Sequence, residues 1–113
     1  MTDEQINIAI AESLGWTNCR LAIKGAGGGT RYLTAHGIPP NRKYETSCPN
    51  YTADLNAMHK AMLLHPRKDL LRKFLYLEVL EDPTNTTNEP AWATAKQWAT
   101  AYVKSLGKWS YND

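Results

Sequence analysis

Apolar residues recur at spacings of three and four positions in four stretches of the chain, and this spacing predicts four amphipathic helices. In the first stretch Ile6, Ile10 and Leu14 fall on one face, and in the last Trp98 and Tyr102 do the same. The predicted helices cover residues 3–14, 52–64, 67–80 and 94–106.

The two outer helices carry sequence signals for both of their ends. Each begins with the spacing of a capping box, in which a threonine hydroxyl and a glutamine side chain satisfy free amides of the first turn. Each ends before a glycine, which suits the left-handed residue just past a helix end. The residues are Thr2, Gln5 and Gly15 for the first helix, and Thr94, Gln97 and Gly107 for the last. Trp16 and Trp109, which follow these ends, are expected to cover the core.

The two inner helices are less sharply marked. Thr52 is the expected N-cap of the second helix, with Asp54 in its first turn, where the helix dipole favours a carboxylate. Pro66 ends that helix and suits the first position of the next one. The stretch 67–80 also fits a buried strand in its second half, but its length and its helix-forming residues favour the helix.

Between the first two helices the pattern changes to a period of two, which is typical of strands. Residues 19–24 alternate and residues 30–36 are rich in strand formers, so together they predict a hairpin whose tip is the glycine-rich run 25–29. A third short strand is expected within 44–48. The sequence therefore predicts a single α+β domain over residues 1–113, with a short antiparallel sheet packed with about four helices.

The composition fits one small globular domain. The chain has 113 residues, of which 42% are hydrophobic and 10% aromatic, so aromatic side chains supply much of the volume of a single core. No apolar run is longer than four residues, the length of 74–77, which is far shorter than the roughly 20 residues of a membrane span. The acidic start also lacks the basic and apolar parts of a signal peptide. A soluble intracellular protein without membrane contact is expected.

The cysteines and histidines do not form a metal motif. Cys19 and Cys48 are far apart in sequence without a CxxC pair, and the three histidines are scattered singly. A structural zinc site needs four such ligands at close spacings. The cysteines are therefore expected to be buried free thiols, and no metal or other cofactor is expected.

Three stretches of the chain carry a family resemblance. They are Ser13-Leu14-Gly15-Trp16, then Pro49-Asn50-Tyr51-Thr52-Ala53-Asp54-Leu55-Asn56-Ala57-Met58-His59, and finally Ala93-Thr94-Ala95-Lys96-Gln97 leading to Leu106-Gly107-Lys108-Trp109. In this order and at this spacing the chain resembles the phage ABA sandwich domain family, small proteins encoded by bacteriophages and prophages. The resemblance implies α and β layers in one domain and a phage protein made in the host bacterial cytoplasm. It brings no established activity and no catalytic residues.

Charge is unevenly distributed behind the net charge of +2. Residues 1–15 carry acids and no base, whereas residues 16–44 carry five bases and no acid. The basic segment surrounds the glycine-rich tip, where exposed amides can form a nest for phosphate oxygens and arginines can add bidentate contacts. A flexible tip flanked by solvated charges is the alternative, since neither a P-loop nor a dinucleotide-binding motif is present. The predicted ligand-binding residues are Arg20, Lys24, Gly27, Gly28, Gly29, Arg31, Tyr32 and Asn56.

No catalytic arrangement is visible in the sequence. Asp54 and His59 are five positions apart, about 140° around a helix, so they cannot pair as acid and base. His59 is therefore expected to be structural. A second basic cluster, residues 60–73, holds five bases and one acid and includes the start of the third helix, whose dipole adds positive potential. A solvated helix face is the alternative for this cluster.

These features predict a binding protein and do not favour an enzyme. The expected function is to sequester a phosphate-bearing small molecule, such as a nucleotide-derived signal of bacterial anti-phage defence, with Tyr32 stacked on its base. The alternatives are a phage nucleic-acid-binding accessory protein and a small enzyme acting on nucleotides. The small size and the aromatic residues also predict a homo-oligomer.

Overall fold

Three strands and four helices form an α+β globule in the part of the chain that the computed structural model describes, residues 1–25, 31–80 and 93–109. The helices are α1 (Asp3–Ser13), α2 (Leu55–Leu63), α3 (Lys68–Leu80) and α4 (Ala95–Ser105), and the strands are β1 (Thr17–Gly25), β2 (Arg31–Ile38) and β3 (Thr46–Ser47). The predicted fold class and the four predicted helices are confirmed. Within the described ranges, no helix is long and apolar enough to cross a lipid bilayer.

The sheet is antiparallel, with β2 between β1 and β3. The β1–β2 ladder runs from the pair Gly25–Arg31 to the pair Thr17–Ile38. A bulge near its end contains Asn18, whose φ of 53° lies in the left-handed region that asparagine tolerates better than most residues. The predicted hairpin is confirmed, with strands longer than predicted, and its tip at 26–30 lies outside the described residues. The third strand is shorter than predicted.

Both outer helices begin as the sequence predicts. The Thr2 hydroxyl accepts a hydrogen bond from the Gln5 N–H at 3.2 Å, and the Gln5 side chain accepts one from the Thr2 N–H at 2.8 Å. Thr94 and Gln97 form the same reciprocal pair, at 3.2 and 2.9 Å. The glycine after each helix has a positive φ, 98° and 73°, as expected for the residue that ends a helix.

The start of α2 corrects the prediction. Asp54 is the N-cap, because its Oδ1 accepts hydrogen bonds from the amides of residues 56 and 57 at 3.0 and 3.2 Å. Thr52 is engaged elsewhere: its hydroxyl donates to Asn50 Oδ1 at 3.0 Å, and its amide donates to Asn7 Oδ1 at 3.2 Å. The helix therefore begins at Leu55, three residues later than predicted.

The stretch that fits both a helix and a strand is the helix α3. It buries Leu71, Leu75 and Val79, which are spaced four residues apart. Leu77, two residues from Leu75, is 44% exposed, whereas a buried strand would place both on one face. The four-residue spacing of the buried side chains therefore shows that this stretch packs as a helix.

The core lies between α1 and the other helices, with α4 at its centre. α4 packs against α1, α2 and α3, and α1 also contacts β1 and β2, so α1 joins the sheet to the rest of the core. The largest fully buried side chains among the described residues are Ile6, Ile10, Met58, Leu75, Val79, Tyr102 and Val103. Trp16 and Trp109 pack, partly buried, against this core, as predicted for residues that cover its ends.

Candidate ligand groove

A groove, which we call the α2–α3 groove, opens between α2 and α3 beside α4. Its volume is about 580 Å³, within the range of roughly 300–1,000 Å³ common for small-molecule sites. The lining residues are His59, Lys60, Met62 and Leu63 of α2, Lys68, Leu71 and Arg72 of α3, and Trp98 of α4.

Helical spacing brings basic and apolar side chains together at this groove. On α3, Lys68, Leu71 and Arg72 are three and four positions apart and so share one face. Leu71 is 3% exposed, whereas the lysine and arginine beside it are exposed. The groove therefore has an apolar floor and a basic rim.

Three cations stand on this rim, Lys60, Lys68 and Arg72. None of them forms an ion pair with another residue that the structure describes, in contrast to Arg67, whose guanidinium lies 3.2 Å from the Asp69 carboxylate. Lys68 is also the first residue of α3, where the helix dipole is positive. The rim favours an anion.

An aromatic wall closes one side of the groove. The rings of His59 and Trp98 meet edge to face, with centroids 6.3 Å apart and an interplanar angle of 89°. Trp98 is partly buried against the core, while His59, expected from the sequence to be structural, is exposed at the groove. A flat ring of a ligand can pack against this wall.

A buried histidine fixes the connection between the two groove helices. His65 is 4% exposed, its Nδ1 accepts a hydrogen bond from the Arg67 N–H at 2.9 Å, and its Nε2 lies 2.6 Å from the Ser105 hydroxyl. Because Nδ1 accepts, Nε2 carries the ring proton and donates it to Ser105, which in turn donates to the Tyr102 carbonyl at 2.7 Å. Burial lowers the pKa of His65, an effect larger than the opposing one of the Asp69 carboxylate. The neutral ring ties the α2–α3 connection to α4.

Arg20, predicted to bind phosphate, is paired in the structure. Its Nη2 lies 2.7 Å from Glu45 Oε1, and His36 Nδ1 lies 3.8 Å from the same oxygen. Arg20 is opposite His36 in the ladder, five residues before Gly25, so its backbone is about 16 Å from the end of the strand. Arg20 therefore belongs to the base of the hairpin and not to its tip.

The other predicted hairpin residues flank the tip along the backbone. Lys24 is opposite Tyr32, and Gly25 is opposite Arg31. The backbone thus brings Lys24, Arg31 and Tyr32 together at the end of the ladder. The predicted residues Gly27, Gly28 and Gly29 lie outside the described part of the chain.

Asn56, the last predicted ligand-binding residue, lies in the first turn of α2 and not on the hairpin. It borders a second cavity of about 300 Å³, together with Tyr51, Asp54 and Lys60. Lys60 also lines the α2–α3 groove, so the two cavities share this lysine. The predicted set of ligand-binding residues is therefore divided between the hairpin and the helical part.

Cys19 lies on β1, and Cys48 directly follows β3. Both are free, half-buried thiols. Burial raises the pKa of both, that of Cys48 to about 12. Gly37 leaves space for the first thiol, since a Cβ there would approach Cys19 Sγ to 2.8 Å. Both thiols stay protonated at neutral pH and are poor nucleophiles. Across the described ranges, no group of three or more His, Cys, Asp or Glu residues is placed to hold a metal ion.

Sequence reasoning missed two features of the helical part. The sequence places Trp98 on the apolar face of its helix. It does not show that the Trp98 ring meets His59, because His59 lies on another helix and no nearby residue indicates the contact. The partner of His65 is forty residues away, and the only local sign was its position before Pro66. The basic cluster at 60–73 was the one sequence signal of the groove.

Comparison with known proteins found no matching family model, curated protein or solved structure. The resemblance to the phage ABA sandwich domain family stays a prediction.

Proposed function

We propose that the protein binds a phosphate-bearing small molecule of the nucleotide type in the α2–α3 groove and holds it without converting it. The observation that carries this proposal is the set of three cations, Lys60, Lys68 and Arg72, on the rim of an apolar groove with an aromatic wall. None of the three has an ion-pair partner among the described residues, so their charges are available to a ligand.

Each part of such a ligand has a counterpart in the groove. The Arg72 guanidinium offers a fork of donors to a phosphate, and the two lysines add charge. A base packs against Trp98, and the apolar floor at Leu71 excludes water beneath it. An inorganic anion would leave the floor unused, and an uncharged apolar ligand would leave the rim unused.

Binding without turnover is favoured by what lines the groove. The eight lining residues include no carboxylate and no serine, threonine or cysteine, so His59 has neither a hydroxyl or thiol nucleophile to activate nor a carboxylate to orient it among them. The resemblance to small phage proteins supports a role in the host bacterial cytoplasm. There the protein would sequester a nucleotide-derived signal of anti-phage defence and lower its free concentration.

Calorimetry tests the ligand class. Cyclic nucleotides, ADP-ribose derivatives and short DNA duplexes are titrated into the full chain, and the ligand is then recovered and analysed. The expected result is tight binding of a nucleotide that is recovered intact. Recovery of a product would show an enzyme instead. Affinity confined to duplexes, falling steeply with salt, would show nucleic-acid binding.

A matched pair of variants on α3 tests the site. Arg72→Ala is expected to weaken nucleotide binding about tenfold to a hundredfold, because a hydrogen bond to a charged group contributes about 1.5–3 kcal/mol. Lys73→Ala removes the same charge one residue further along, at an exposed position that does not line the groove, and is expected to leave the affinity nearly unchanged. Equal losses would mean that only the general charge of α3 matters.

The hairpin is the competing location for the same ligand class. Lys24→Ala and Arg31→Ala are expected to leave binding nearly unchanged if the groove is the site. If these two variants abolish binding while Arg72→Ala does not, the ligand binds at the hairpin and the groove assignment is wrong.

A further inference from the structure

The first strand, β1, has an open edge. It has nine residues and pairs with β2 on one side, while no described strand lies on the other side. An open edge presents a row of backbone amides and carbonyls that can pair with another chain. This feature is independent of the proposed ligand groove.

The hydrogen bonds of β2 show which residues of β1 direct their backbone outwards. The Cys48 N–H donates to the Ala35 carbonyl at 2.9 Å, so Ala35 directs its backbone groups towards β3. Leu21, which is opposite Ala35, therefore belongs to a pair without mutual hydrogen bonds, and its own amide and carbonyl point away from β2. The same alternation applies to Ile23, two residues further on.

These two residues are also the exposed apolar side chains of β1. Leu21 is 39% exposed and Ile23 66% exposed, whereas Cys19, earlier on the strand, packs against the core. Leu21 lies on the same face of the sheet as Ala35, which is buried. This face is therefore covered near the base of the hairpin and exposed at Leu21 and Ile23. An apolar side chain and an outward backbone thus coincide at the same positions.

We propose that two copies of the chain pair antiparallel through β1, with Leu21 opposite Leu21 of the second copy, and so join two three-stranded sheets into one of six strands. Leu21 is the midpoint of Thr17–Gly25, so this register allows the longest overlap of the two strands. It places Cys19 opposite Ile23 of the second copy and forms one apolar row. A register centred on Ala22 would instead place Arg20 opposite Lys24, and like charges at opposite positions are unfavourable.

A second copy fits this edge because the edge is complementary to itself. The two-fold axis repeats every contact, so each outward amide of one copy meets an outward carbonyl of the other. The overlap contains two charged residues. Arg20 is already paired with Glu45 and would lie opposite Ala22 of the second copy, and Lys24 would lie opposite Asn18 of the second copy, so no like charges face each other.

Sedimentation of the full chain at tens of micromolar tests the proposal. A dimer is expected. Ile23→Lys, at an exposed position, and Leu21→Pro, which removes an amide that does not bond to β2, are each expected to weaken the dimer roughly tenfold or more. Leu64→Lys is the control, since Leu64 is 70% exposed on the helical part and its change is expected to have no effect. A monomeric wild type, or a dimer that both β1 variants leave intact, would overturn the proposal.

Cross-linking tests the register. Directly opposite residues in a hydrogen-bonded antiparallel pair have Cα atoms about 5.5 Å apart, which a disulfide can bridge. Leu21→Cys, introduced with Cys19→Ser and Cys48→Ser, is therefore expected to give a covalent dimer on oxidation. A dimer in sedimentation that this variant does not cross-link has another interface or register, and the proposal is wrong.

Discussion

The helices α2 to α4 and the hairpin of β1 and β2 both carry basic residues, but these residues have different surroundings. At the groove, Arg72 stands beside the buried Leu71 and has no ion-pair partner among the described residues. On the hairpin, Arg20 is paired with Glu45, and the nearby Ile23 is 66% exposed. An unpaired charge beside a sheltered apolar surface suits an organic anion. A paired charge on an open strand suits contact with another chain.

The same comparison applies to stability, and here the largest effect is expected. Leu75→Ala removes a side chain that is 1% exposed in the core and is expected to lower the free energy of unfolding by about 2–5 kcal/mol. Ile23→Ala on the hairpin is expected to change the free energy of unfolding of the monomer by less than about 0.5 kcal/mol, because that side chain is mostly exposed in the single chain. Denaturation in urea measures both.

Leu77→Ala is the matched control for this prediction. Leu77 lies on the same helix, two residues from Leu75, and is 44% exposed. The decrease in the free energy of unfolding that Leu77→Ala causes is expected to be closer to that of Ile23→Ala than to that of Leu75→Ala. Similar losses for Leu75→Ala and Leu77→Ala would contradict the burial pattern of α3.

A smaller effect is expected at the start of α2, which carries half of the groove. Asp54→Ala leaves the amides of residues 56 and 57 without their acceptor and is expected to lower the free energy of unfolding by about 0.5–2 kcal/mol. Asp54→Asn keeps an acceptor oxygen and is expected to retain most of the stability. If the two variants were equally destabilised, Asp54 would not act as the N-cap.

The helical part is also expected to weaken in mild acid. Burial lowers the pKa of His65 below its ordinary value of 6.5, so between pH 6.5 and the folded-state pKa the unfolded chain binds a proton that the folded chain does not. Stability is therefore fully present above pH 6.5 and falls as the pH drops below it. Asp69 is the charged group near the ring, and its opposing effect is the smaller one.

His65→Gln identifies the residue responsible. The variant is expected to be less stable than the wild type at neutral pH, because the bonds to Arg67 and Ser105 change. It is also expected to lose part of the decrease in stability between about pH 7 and about pH 5.5, measured by urea denaturation at each pH. An unchanged slope would assign the pH dependence to other groups.

Local signals explain how much of the fold was predictable. Capping boxes and glycine stops are contained within a few residues, so the ends of α1 and α4 followed from the sequence. The N-cap of α2 did not, because two candidate residues lie close together and Thr52 makes its bonds to the distant Asn7. Local patterns do not contain that contact.

The candidate site was less predictable for the same reason. The basic cluster at 60–73 was visible, but the groove also requires Trp98, which reaches it through the packing of α4 against α2. The positive charge of Arg20 is offset by the carboxylate of Glu45, which lies 25 positions later in the chain, directly before β3. A count of charges along the chain therefore overestimated the positive charge that the hairpin offers to a ligand, because it does not show that Arg20 is paired.

The smallest expected effect concerns this ion pair. Arg20 and Glu45 are both partly exposed, so a double-mutant cycle of Arg20→Ala and Glu45→Ala is expected to give a coupling free energy of less than about 1 kcal/mol, decreasing with salt. Arg20→Ala is also expected to leave the affinity of the groove for a nucleotide unchanged, because the side chain is already paired and lies on the hairpin. If Arg20→Ala weakened nucleotide binding while Arg72→Ala did not, the ligand would displace Glu45 at the hairpin, and the distinction between the two basic regions would be reversed.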